Sequence, residues 1–163
     1  MAIQYEVQGA VAVLTIDRPE ALNAMNEQMY REITDRLQAL DADDAIDVGI
    51  ITGHGDRAFS AGADLRDHPT PPRGPSGWSP WRPNRWDLGL DVAKPLIAAI
   101  DGYTLAGGLE LALMCDIRLA TPRSQFGAPE VKWNLLHGRG ALRLPLVVGL
   151  GNAMMLLLVG DFI

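Results

Sequence analysis

A chain of 163 residues suits one compact domain, and with 48% of its residues apolar it can bury a sizeable core. A formal net charge of -6 argues against a nucleic-acid binder and against an anionic-membrane binder, since both need basic patches to neutralise phosphates. The single cysteine, Cys115, excludes an internal disulfide; with no basic-then-apolar leader and no unbroken apolar run of about 18 residues, the expected location is cytoplasmic, with no membrane span.

In chain order, "YEVQGAVAVLTID" predicts a strand, a Gly-centred turn and a second, mostly buried strand. Pro19 ends it in "RPEALNAM". A helix follows over Asn26 to Leu40, with Met29, Ile33, Leu37 and Leu40 at helical spacing. "AIDVGIITG" is an apolar, β-branched run and predicts a buried strand; "KPLIAAIDG" and "DIRLAT" predict two more. A short helix lies over Gly107 to Cys115 and another over Asn152 to Val159, closed by a Gly160-Asp161 turn. Strands alternating with helices favour a mainly parallel α/β architecture. Between Asp67 and Asp87 stand six prolines, three tryptophans and three arginines, which excludes a regular helix or central strand. Residues 67–87 are expected to be a loop, either pinned to the surface by its tryptophans or lidding a pocket for an apolar ligand.

Four stretches can carry chemistry. In "AFSAGADL" the small residues Ser60 to Ala63 let backbone approach a ligand, and free N–H groups in such a turn can face an anion or a carbonyl oxygen. A tight packed turn would read the same way. In "DGYTLAGGLEL" Gly107 and Gly108 open a helix, whose first turn offers unpaired N–H donors. Two such turns, each contributing one N–H, are the minimum for an oxyanion hole. Glu110 follows in the first helical turn. It could simply favour the helix dipole, but Leu113 and Met114, three and four residues on, share its face. A carboxylate so placed is desolvated, which raises its pKa and eases proton transfer near neutral pH. The fourth stretch is "FGAPEVKWNLLHGRGALRLP", where Glu130 can arrive from a separate loop to pair with Glu110; spacing alone does not join them. His54, His68 and His137 lack metal-ligand spacing and are expected as surface or packing residues. His137 is the one near the candidate site. There is no Walker-type loop, no dinucleotide fingerprint between a strand and a helix, and no G-x-S-x-G elbow.

The segments "RPEALNAM", "AFSAGADL", "KPLIAAIDGYTLAGGLELALMCDIRLA" and "SQFGAPEV" stand in an order and spacing that resemble the enoyl-CoA hydratase/isomerase (crotonase) superfamily, from about Ile3 to the last residue. The resemblance implies a crotonase-like α/β fold, a spiral of ββα units forming two roughly perpendicular sheets, assembled as a homotrimer or a dimer of trimers. It implies an acyl-coenzyme A thioester as ligand, with no metal and no separate cofactor, coenzyme A being part of the substrate. The residues matching the oxyanion-hole amides are Ala63 and Gly107. Ala21, Ala61, Gly62, Asp64 and Leu65 match positions along the coenzyme A path, and Gly108, Pro129 and Gly138 fall beside the acyl site. Glu110 falls on the position that activates water at Cβ, and Glu130 on the one that protonates Cα. The leading expectation is therefore an enoyl-CoA hydratase. Two departures keep alternatives open. Where familiar hydratases have a "PGAGGTQRL"-like turn, this sequence has "HGRGALRLP", which would also suit an isomerase or a hydroxyacyl- or carnitinyl-CoA dehydratase. Residues 1–163 would make one crotonase-like core lacking most of the family's C-terminal helices, which leaves open a non-catalytic chain that binds coenzyme A or joins an oligomer.

Overall fold

A computed structural model describes residues 2–67, 86–88 and 90–163. Most of the Pro/Trp-rich stretch, and with it the expectation of a lid or surface loop, lies outside the described residues. Among the described residues, eight strands form two sheets. The larger holds β1 (Ile3–Gln8), β2 (Val11–Ile16), β3 (Val48–Gly53), β5 (Leu96–Ile100) and β7 (Ile117–Ala120), in the order β1-β2-β3-β5-β7. β1 and β2 form an antiparallel hairpin through Gly9, at φ +62°; every other pairing in the sheet is parallel. The smaller sheet holds β4 (Ala58–Ser60), β6 (Tyr103–Leu105) and β8 (Gln125–Gly127), all parallel.

Each strand of the smaller sheet follows a strand of the larger one: β3 then β4, β5 then β6, β7 then β8. The chain thus winds repeatedly from one sheet to the other. Helix α1 (Glu27–Ala42) is capped by Asn26, whose side chain accepts the Met29 N–H at 3.0 Å. Its apolar stripe, Met29, Ile33, Leu37 and Leu40, is buried together with Ala12, Leu14 and Ile16 of β2 and Leu96, Ala98 and Ile100 of β5. Helix α2 (Gly107–Met114) is apolar on both sides. Leu111 and Ala112 enter that core, while Leu109 and Leu113 enter a second cluster with Leu144 of α3 (Gly140–Val148) and Ala153 and Leu156 of α4 (Leu150–Val159).

The structure adds what periodicity did not predict. Strands β4, β6 and β8 are three residues each, too short to show a period, and β6 lies between Asp101 and Gly107. Helix α3 starts at Gly140, directly after Gly138 and Arg139.

Candidate active site

The three strands of the smaller sheet run parallel, so their carboxyl ends lie along one edge, where ligand sites of parallel sheets characteristically form. Three segments leave that edge: Ala61-Gly62-Ala63 after β4, Ala106-Gly107 after β6, and Ala128-Pro129-Glu130 after β8.

The first is fixed by the "RPEALNAM" stretch, a 3-10 turn (Pro19–Ala21) and the residues after it. Ala61 N–H donates to Leu22 O, Met25 N–H to Gly62 O and Asp64 N–H to Met25 O, at 2.8 to 3.0 Å. In this parallel bridge the bonds flank Ala63, so its own N–H points away from Met25. The buried Asn23, in the left-handed region at φ +55°, accepts Arg18 N–H and donates to His54 O and Ala58 O. Arg18 reaches across to Asp64, Nη1 to Oδ2 at 2.6 Å. The Arg66 backbone N–H, and then Arg18, hold the Asp64 carboxyl below its ordinary range.

The second segment is strained. Ala106 sits at φ +51°, ψ -125°, a conformation that costs an alanine roughly 1–3 kcal/mol. It turns the chain sharply enough to start α2 at Gly107, directly after β6. The two turns touch. A Cβ built on Gly62, itself at φ +93°, would stand 2.8 Å from Gly107 N and 2.7 Å from Ala106 Cβ. One built on Gly107 would stand 3.6 Å from Ala63 N and 2.6 Å from the Tyr30 hydroxyl. Glycine at 62 lets the Ala63 and Gly107 turns come together, and glycine at 107 leaves room for the Tyr30 hydroxyl.

Both glutamates face one cavity of about 500 Å³. Ala61, Ala63, Leu65, Ala106 and Gly107 form part of its wall; Pro129, Glu130, Gly138 and Glu110 form another. Trp133, Leu135 and Leu136 add apolar surface, Leu136 being 95% exposed. Burial raises the Glu110 pKa, opposed by the N–H of Gly140, which donates to Glu110 Oε1 at 3.1 Å, and by His137. Glu130 lies in a 3-10 turn (Pro129–Trp133), and its Oε1 is 2.6 Å from His137 Nδ1.

Four candidate residues do not line the cavity. Gly62 and Gly108 lie behind it; Gly108 is where α2 packs against Ser60 of β4, with no room for a side chain. Asp64 is engaged with Arg18, and Ala21 sits on the 3-10 turn before Asn23. The sequence reading passed over Ala106 and Tyr30. His137, expected as a surface or packing residue near the site, is buried there and bonded to a candidate acid. Its spacing of seven from Glu130 carried no signal, because the two meet across a 3-10 turn and a loop.

A profile of the family described as enoyl-CoA hydratase/isomerase matches residues 6–163. The crotonyl-CoA hydratase of Syntrophomonas wolfei is 41% identical over 165 residues, covering 97% of this chain and 62% of that protein. A probable enoyl-CoA hydratase of Rhizobium meliloti is 38% identical over 159 residues, covering 95% of this chain and 60% of that protein. A crystal structure of an enoyl-CoA hydratase/carnithine racemase from Magnetospirillum magneticum superposes with a TM-score of 0.88 at 32% identity, over 100% of this chain and 62% of that one. This chain therefore spans about 60% of the length of the relatives it matches. With its two sheets and its match over almost every residue, the chain belongs to the enoyl-CoA hydratase/isomerase (crotonase) family and has the α/β crotonase fold.

Proposed function

We propose that this chain carries the catalytic core of an enoyl-CoA hydratase, adding water across the 2,3 double bond of an enoyl-coenzyme A thioester. The carrying observation is that two adjacent backbone amides, Ala63 and Gly107, and two carboxylates, Glu110 and Glu130, border one cavity. The thioester oxygen accepts from both amides, which draws electron density away from Cβ and opens it to attack by water. Glu110 takes a proton from a water molecule as its oxygen bonds to Cβ, and the burial that raises its pKa makes it a better base for this. The electron pair of the double bond moves onto the thioester as an enolate held by the amides. Glu130 then gives a proton to Cα, and solvent returns the proton from Glu110 to Glu130.

Ala61 and Leu65 would border the coenzyme A path, with Pro129 and Gly138 beside the acyl group. The exposed leucines of α3 and α4, Leu142, Leu146, Leu150 and Leu158, support an assembly, a homotrimer or dimer of trimers.

The test is hydration of short and medium 2-enoyl-CoAs by the purified chain, with Glu110→Gln and Glu130→Gln beside it. Each substitution should lower turnover by about 10²-fold or more. Equal turnover in all three proteins refutes the assignment. The bond between His137 and Glu130 is also compatible with a second reading, isomerisation, for which one carboxylate suffices. An isomer product with only one essential glutamate would select it. Because the chain spans about 60% of its relatives, a non-catalytic coenzyme A-binding chain is the reading that remains if acyl-CoA binds without turnover.

A further inference from the structure

Glu130 is held at one oxygen only. Its Oε1 meets Nδ1 of His137 at 2.6 Å, between side chains 13% and 3% exposed. Oε2 of Glu130 is buried without a hydrogen-bond partner, and so is Nε2 of His137. A carboxylate oxygen only accepts, so Nδ1 carries the proton of the ring. In the neutral ring Nε2 is then a lone pair, and an unfilled buried acceptor is tolerated better than an orphaned buried N–H.

Glu110 is gripped from the same segment. Gly140 N–H donates to its Oε1, and a Cβ on Gly138 would stand 2.6 Å from that oxygen. A Cβ on Gly140 would collide with the His137 ring at Nε2 and crowd Glu110 Cγ. The four residues His137 to Gly140 thus hold both carboxylates, one through a side-chain N–H and the other through a main-chain N–H. Glycines at the second and fourth positions let the grip close.

We propose that His137 is a positioning residue for the proton transfer made by Glu130. By holding Oε1 it fixes the orientation of the carboxyl group that carries the proton. When the enolate electron pair takes that proton to form the Cα–H bond, Glu130 becomes a carboxylate, and the bond from Nδ1–H strengthens as its acceptor gains charge. This inference rests on the hydratase reading above.

The test joins spectroscopy to kinetics on the full chain. Two-bond ¹H–¹⁵N correlation spectra resolve the tautomers of His54, His68 and His137, with His137→Asn giving the assignment. His137 should be the Nδ1–H tautomer, and Glu130→Ala should shift it toward Nε2–H. For hydration, His137→Phe should lower kcat about 30-fold with KM changed no more than about twofold, because the chemistry and not the binding loses its geometry. His137→Asn presents an amide N–H close to the position of Nδ1 and should restore kcat to within about fivefold of the parent. An Nε2–H tautomer in the parent, a spectrum unmoved by Glu130→Ala, or equal kcat in the Phe and Asn variants overturns the proposal. A chain with the Nδ1–H tautomer but no turnover would retain the clamp and refute the hydratase reading on which its role in proton transfer depends.

Discussion

Gly62→Ala tests the oxyanion hole most directly, because the added methyl reaches none of the carboxylates. Its Cβ would stand 2.8 Å from Gly107 N, 2.7 Å from Ala106 Cβ and 2.9 Å from Leu105 O. Two of these three atoms are backbone and the third is rooted in a strained turn, so no flexible side chain can yield. To bring 2.8 Å out to the ordinary contact distance of 3.4 Å, the two turns must part by about 0.6 Å. The Ala63 and Gly107 amides sit one on each turn and would part with them. An oxyanion then keeps good geometry with one donor at most, and losing one donor costs about 3 kcal/mol of transition-state stabilisation, on the order of 10²-fold in kcat. The φ of +93° at Gly62 adds roughly 1–2 kcal/mol of backbone strain to the folded state. Steady-state hydration, followed by loss of the conjugated enoyl-thioester absorbance, should show kcat down about 10²-fold and KM nearly unchanged. Urea unfolding should report a loss of about 1–3 kcal/mol with an unchanged m-value. A variant that unfolds earlier but keeps full kcat would show that the two amides do not act together on the substrate.

Glu110→Gln should cost activity yet raise stability at neutral pH. Burial raises the Glu110 pKa in the folded state, so the native chain binds a proton that the unfolded chain has released; this contribution is present below the unfolded pKa and is lost as pH rises through the folded one. Thermal melts across that interval should show the parent falling with pH more steeply than Glu110→Gln, and parallel curves would refute the desolvation argument. Asn23→Ala should destabilise by about 3–4 kcal/mol in urea: three hydrogen bonds at about 1 kcal/mol each, and about 1 kcal/mol for alanine at φ +55°. A loss below about 1 kcal/mol would mean that water replaces the amide at Ala58 O and His54 O.

Much of the site was legible in the sequence because its chemistry is written locally. Leu113 and Met114 share a helical face with Glu110, and the expected desolvation of that carboxylate has its counterpart in burial that raises its pKa. Glycines at 62 and 108 marked places where backbone comes close, and neither has room for a Cβ; at Gly107 the space is taken by the Tyr30 hydroxyl. The edge that unites these features was not legible. Strands of three residues have no readable period, and their pairing is long-range, Ala58 with Tyr103 and Thr104 with Phe126. Ala106 hides its unusual backbone because nothing about an alanine advertises a positive φ. His137 was underrated for a related reason: a histidine declares its partner only in three dimensions.

The same small sheet has a bearing on how the chain becomes functional. The β1–β2 hairpin and α1 draw on near neighbours in sequence and can form early. The edge that carries the donors and the acid needs three short strands brought together across long intervening stretches, and closing such loops is entropically costly and slow. No single strand of that sheet can wait folded for the others, because three residues cannot hold an extended shape alone. The geometry of the proposed site therefore depends on the small sheet being assembled. A nascent or partly unfolded chain can hold its core helix and its hairpin and still offer a substrate nothing to bind.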